Sequence, residues 1–102
     1  MPKLMVLYGK PADAAKFDAH YFERHAPMVK KLPGLRRLEV SAGPINMPQG
    51  GPPYHLVAQL EFDSLPALAA AMGSPEGKAL GADLANFATG GADMLVFETR
   101  EI

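Results

Sequence analysis

Residues 3–8, Lys-Leu-Met-Val-Leu-Tyr, carry apolar side chains on both faces of the strand they predict, Leu4, Val6 and Tyr8 on one and Met5 and Leu7 on the other. Residues 94–100 repeat the pattern, with Met94 and Val96 opposite Leu95 and Phe97. A strand apolar on both sides needs both faces of its sheet covered. No other feature restricts the folds open to the chain so strongly. Two further strand candidates, residues 35–41 and 54–62, alternate instead. Leu38 and Val40 oppose Arg37, Glu39 and Ser41, while Leu56, Ala58, Leu60 and Phe62 oppose His55, Val57, Gln59 and Glu61.

Helical signals separate these strands. Asp13 has the short acceptor side chain of an N-cap, and from Ala14 the residues Phe17, Tyr21 and His25 recur at i, i+4, i+8 on one face. Pro27 has no N–H to donate and disfavours α conformation at Ala26, which places His25 at a helix end or kink. At a C-terminal end the helix dipole favours the imidazolium form. Asp63 or Ser64 caps a second helix through Leu65, Leu68 and Met72, and Gly73 stops it. Ser74-Pro75-Glu76 restarts the helix, with Leu80, Leu84 and Phe87 as its buried stripe and Gly90-Gly91 as its end. Residues 42–53, rich in Gly, Pro, Asn and Gln, predict a mobile connecting loop.

The order βαββαβ predicts one α+β domain over residues 1–102, a ferredoxin-like four-stranded antiparallel sheet with its helices on one face. Helices on one face leave the other open, so a homodimer packed sheet to sheet is the expected cover. Net charge is −1 with a sequence pI near 6.3, which speaks against nucleic acid or anionic membrane as partner. The absence of cysteine removes disulfides and thiolate chemistry. No run approaches the ~18 apolar residues of a membrane span, and no signal segment is recognisable, so a cytoplasmic location is expected.

Tyr8, Asp13, Phe17, His20-Tyr21, His25, Pro27-Met28, Lys31 and Pro33-Gly34-Leu35 together resemble the signature of the EthD family. Ser74-Pro75-Glu76-Gly77, Asp83 and Asn86-Phe87 resemble its second block. Two departures stand out: Met28, where leucine is commoner, and Gly9-Lys10 between Tyr8 and Pro11, where the proline usually follows the tyrosine directly. The resemblance implies a dimeric α+β barrel. It also implies binding of a hydrophobic or aromatic small molecule, with acid–base chemistry that needs no cofactor, as in fungal relatives acting on polyketide-like compounds as cyclases, dehydratases or decarboxylases. His25 and Tyr21 would be the catalytic residues, and Tyr8, Phe17, His20, Met28, Asp83 and Phe87 the substrate-binding ones.

Each of these residues also has a plainer reading. His25 is either an acid–base group or a cap on a free carbonyl. Tyr21 either orients His25 or packs in the core, and Phe17 reads as core. His20 falls about 100° from Tyr21 on an ideal helix, which suits a solvated side chain or a contact across the dimer. Asp83 and Phe87, at i, i+4, either face the pocket opposite Tyr21 or serve as a pairing group and a core residue. No metal site is expected, since His20 and His25 lie about 140° apart on an ideal helix. Gly50-Gly51 and Gly90-Gly91 lack the strand–turn–helix context of nucleotide binding. Three readings follow: a small cofactor-independent enzyme, a ligand-binding or accessory dimer of a degradation pathway, or a structural dimer whose histidines cap helices.

Overall fold

A computed structural model describes residues 1–102. Its strands are β1 (Lys3–Gly9), β2 (Arg37–Val40), β3 (Tyr54–Glu61) and β4 (Ala92–Phe97). They form one antiparallel sheet in the order β2-β3-β1-β4, the ferredoxin-like arrangement. β4 begins two residues before the expected strand and ends three before it, because its pairing with β1 closes at Lys3↔Phe97, where β1 itself starts. The 42–53 loop lacks regular structure and is largely exposed.

The helical layer consists of α1 (Ala14–His20), a π-helical turn (Tyr21–His25), α2 (Ala26–Val29), α3 (Leu65–Gly73) and α4 (Pro75–Phe87). Three caps act as their side chains suggest. Asp13, Ser64 and Ser74 accept from the backbone N–H of Lys16, Ala67 and Gly77, meeting donors a helix start leaves free. The chain does not leave the helical path at Pro27. It widens into a π turn, in which Ala26 N–H reaches back to Tyr21 C=O, and continues helical to Val29. A proline ring presses on the carbonyl four residues earlier, and a widened turn before it relieves that contact.

The core lies between the helices and one sheet face, built on Leu4, Val6, Tyr8, Leu56, Ala58 and Leu60 from the strands. At the Tyr8 end of β1 the chain crosses close to the start of β4. A Cβ on Gly9 would run into the carbonyl oxygen of Gly90, so glycine is required there. The opposite sheet face bears Met5, Leu7, Val57, Leu95 and Phe97. Along edge strand β4, Met94, Leu95, Val96 and Phe97 stand 37–53% exposed, so helices cover neither of its faces fully. No helix is long and apolar enough to cross a membrane.

Candidate active site

Phe17, Tyr21 and His25 lie on one buried helical face, as their spacing predicts. The π turn changes the position of His20. In an i→i+5 ladder residues five apart stand nearly above one another, so His20 and His25 fall on the same side rather than on diverging ones. Both reach Asp83 on α4. His25 Nδ1 lies 2.8 Å from Asp83 Oδ2, and His20 Nε2 lies 3.0 Å from each carboxylate oxygen. Asn86 Nδ2 donates to Oδ1 at 2.9 Å. His20 is thus held by Asp83 rather than fully solvated.

Burial opposes the charge on Asp83, but hydrogen bonds from Asn86, His25 and His20 outweigh it and hold the carboxyl at about 2. An ionised carboxylate only accepts, so the ring nitrogen facing it carries hydrogen. Neutral His25 is therefore the Nδ1–H tautomer, with the lone pair on Nε2. Burial lowers the His25 pKa below 6.5; the bond and charge of Asp83 offset this only in part, and the charge of His20 adds to the lowering. The helix-end expectation of a favoured imidazolium is overturned, because the helix runs on to Val29 and no C-terminal dipole falls on the ring. Tyr21 is pushed up to about 12 by burial, and Tyr8 is raised further by burial, Tyr21 and Asp83. Both phenols stay protonated at neutral pH.

The two shifts have one sign for stability. Below pH 6.5 an unfolded His25 takes up a proton that the folded one refuses, so stability falls until the pH passes below the folded value. Between 3.8 and about 2 the unfolded Asp83 is protonated first, and stability falls again. Urea titrations from pH 8 to 3 should therefore show stability declining in two steps, and His25→Gln should erase the upper one. A flat profile between pH 7 and 5 in the parent protein would contradict the buried neutral imidazole.

Between helices and sheet lies a cavity of about 190 Å³, with Tyr8, Tyr21 and His25 among its lining residues. β1 runs along it from Tyr8 to Leu4, so the three polar rings gather at one end and aliphatic side chains fill the other. Tyr8, Tyr21 and His25 are 2%, 1% and 4% exposed. Neither phenol hydroxyl nor His25 Nε2 has a hydrogen-bond partner within the chain, and none of these atoms is sealed in protein; all three residues line the cavity, and Tyr21 also borders a hollow beside Phe22 and Pro27.

The remaining expected residues stand behind this lining. Phe17 packs against Tyr8 and Tyr21 at ring-centre distances of 5.3 and 5.9 Å. Phe87 stacks on His20 at 5.0 Å and leans on His25 at 4.7 Å. Asp83 and His20 sit on the far side of His25 from the cavity. Met28 does not reach it and packs, half-buried, against the outer part of the core.

Strand alternation misplaces His55. A β-bulge shifts the register between Tyr8↔Leu56 and Gly9↔Tyr54, leaving His55 unpaired and turned to the helix side. There its Nε2 lies 2.7 Å from Asp18 Oδ1 and its ring meets Phe17 edge-on at 4.7 Å. No local signal marks such a bulge beyond the Gly9-Lys10 insertion on the facing strand. No group of three or more His, Asp or Glu side chains is arranged to hold a metal ion.

The chain thus combines a ferredoxin-like α+β fold with an imidazole–carboxylate pair beside a small apolar cavity. The EthD domain profile matches residues 10–91, and the chain belongs to the EthD family. It is 42% identical over 103 residues to an uncharacterised 11.0 kDa protein from the thcB–thcC intergenic region of Rhodococcus erythropolis, covering all of this chain and 98% of that one. The crystal structure of an EthD family protein from Bacillus halodurans superposes with a TM-score of 0.87 at 38% identity, over 98% of this chain and 99% of that one. An EthD-like protein from Ralstonia eutropha gives 0.73 at 26% identity, over 95% and 89%.

Proposed function

We propose that this protein binds a hydrophobic or aromatic small molecule in the helix–sheet cavity and performs acid–base chemistry on it without a cofactor, with His25 as the acid–base group. One observation carries the reading: three nearly inaccessible polar rings, Tyr8, Tyr21 and His25, line one apolar cavity, and their two hydroxyls and Nε2 have no partner within the chain. Buried polar groups ordinarily have partners, so atoms left free at a cavity suit a ligand's polar group.

The chemistry follows from the protonation states. His25 Nε2 holds a lone pair at neutral pH, and Asp83 orients the ring and stabilises the imidazolium formed when it takes a proton. Removing hydrogen from a carbon beside a carbonyl puts the proton on Nε2 and the C–H electron pair on the carbonyl oxygen as an enolate. The Tyr8 and Tyr21 hydroxyls, held protonated, donate to that oxygen. Returning the proton to another atom completes an isomerisation, a dehydration or a ring closure.

Phenylacetone in D2O tests this by NMR. The wild type should speed exchange of its benzylic protons, and His25→Ala should abolish the acceleration with near-native circular dichroism. Binding without any exchange would restrict the protein to the ligand-binding, accessory reading.

The assembly proposed is a homodimer packed through the outer sheet face. Met5, Leu7, Val57, Leu95 and Phe97 form an apolar patch across the two central strands and edge strand β4, the kind of surface that proteins seldom leave bare. Leu95→Glu should convert a dimer to a monomer in analytical ultracentrifugation, and a wild-type monomer would refute the arrangement.

A further inference from the structure

Two glycines of α4, Gly77 and Gly81, line the cavity one helical turn apart. Glycine inside a helix is destabilising relative to alanine, so each position calls for a reason. Gly77 has one. A Cβ there would collide with the backbone carbonyls of Ala71 and Met72, where α3 gives way to α4. Gly81 has none of that kind. A Cβ on Gly81 would meet nothing within 4 Å, and its backbone does not adopt the left-handed conformation that favours glycine. Gly81 is itself exposed and borders the cavity, so it stands at the cavity's open side, where a side chain would narrow the opening.

We infer that Gly81 sets the size of the ligand, keeping open the aliphatic end of the cavity for a short apolar substituent on a neutral one-ring compound whose hydroxyl or carbonyl group lies at Tyr8, Tyr21 and His25. This deepens the proposed function and rests on it. The polar end fixes one functional group: the two hydroxyls donate or accept, and Nε2 accepts. No lysine or arginine lines the cavity, and the Asp83 carboxylate lies directly behind His25, so an anionic ligand is disfavoured and a neutral one suits. Volume sets the scale. A cavity of about 150 Å³ admits benzene, and the 190 Å³ here leaves room for one ring and a short extension. Gly81 lies two residues before Asp83 on α4, toward the Leu4 end, where an extension from a ring anchored at Tyr8 and Tyr21 would run.

Isothermal titration of phenol and 4-propylphenol into the wild type, Gly81→Ala and Gly81→Leu tests this, with Tm recorded for each. The wild type should bind both compounds, 4-propylphenol more tightly. Gly81→Leu should weaken 4-propylphenol by at least about tenfold while leaving phenol within about threefold, and Gly81→Ala should show the same trend more weakly with Tm raised by a few degrees. Should either variant bind both compounds like the wild type, or lose both equally, Gly81 does not set ligand size, although the cavity reading stands. If Gly81→Leu fails to fold, Gly81→Ala decides alone. A wild type that binds neither phenol overturns the inference together with the ligand-binding reading beneath it.

Discussion

Asp83→Asn is expected to lower acid–base turnover by about 10²- to 10⁴-fold while leaving the fold standing. Three donors converge on this carboxylate: His20 touches both oxygens, Asn86 bonds Oδ1 and His25 bonds Oδ2. An amide has a single acceptor oxygen. Placing it at the Oδ1 position satisfies Asn86 and His20 together, and so presents the NH2 group to His25 Nδ1. That nitrogen must then accept, which moves the ring hydrogen to Nε2 and removes the lone pair from the cavity. The variant would thus keep most of its contacts but carry the wrong tautomer. Long-range 1H–15N NMR of the imidazole should show the switch directly, alongside loss of the phenylacetone exchange rate. Asp83→Ala tests the structural share: it strands a buried imidazole, at a cost of about 1–3 kcal/mol in urea denaturation. If Asp83→Asn keeps its exchange rate within a few-fold, His25 does not act through Asp83.

Much of this site could be read from short-range pattern. The Phe17, Tyr21, His25 stripe follows from i, i+4 spacing, and Asp13, Ser64 and Ser74 cap as their side chains suggest, because those interactions span only a few residues. Each thing the sequence concealed depends on a local change of period or on contact between distant segments. At 100° per residue His20 points away from His25; one π turn reverses that, and no propensity scale marks where a helix will widen. Pro27 signals a helix end or kink; the chain widens into a π turn before it and continues helical, so no helix-end dipole favours a charged His25. Strict alternation places His55 outward, and the bulge opposite Gly9 turns it inward. Asp83 meets His20 and His25 across 63 and 58 residues, a separation at which periodicity carries no information. Its place in the second signature block was the one available hint.

Phe17→Ala is expected to be the most destabilising single change in the chain, about 3–5 kcal/mol. Phe17 is 1% exposed, and its ring lies 4.7–5.9 Å from those of Tyr8, Tyr21, His55 and Phe87. It joins α1 to β1, to the bulge of β3 and to α4 at a single point. Truncation removes the buried ring's transfer free energy, several edge-to-face contacts worth about 0.5–1.5 kcal/mol each, and leaves a void that rings on four elements cannot all move to fill. Domains of this size hold about 5–15 kcal/mol in total. At roughly 4–8 °C per kcal/mol the loss amounts to a Tm lower by about 12–40 °C, readable by calorimetry. Phe17→Leu, which keeps much of the volume, separates two origins of the effect. If filling space is what matters, it should recover more than half the loss. If the ring geometry that holds Tyr8 and Tyr21 toward the cavity matters as well, Phe17→Leu should regain stability yet bind phenol more weakly than the wild type. Stability and binding recovering together would instead make Phe17 a packing residue with no part in setting the site.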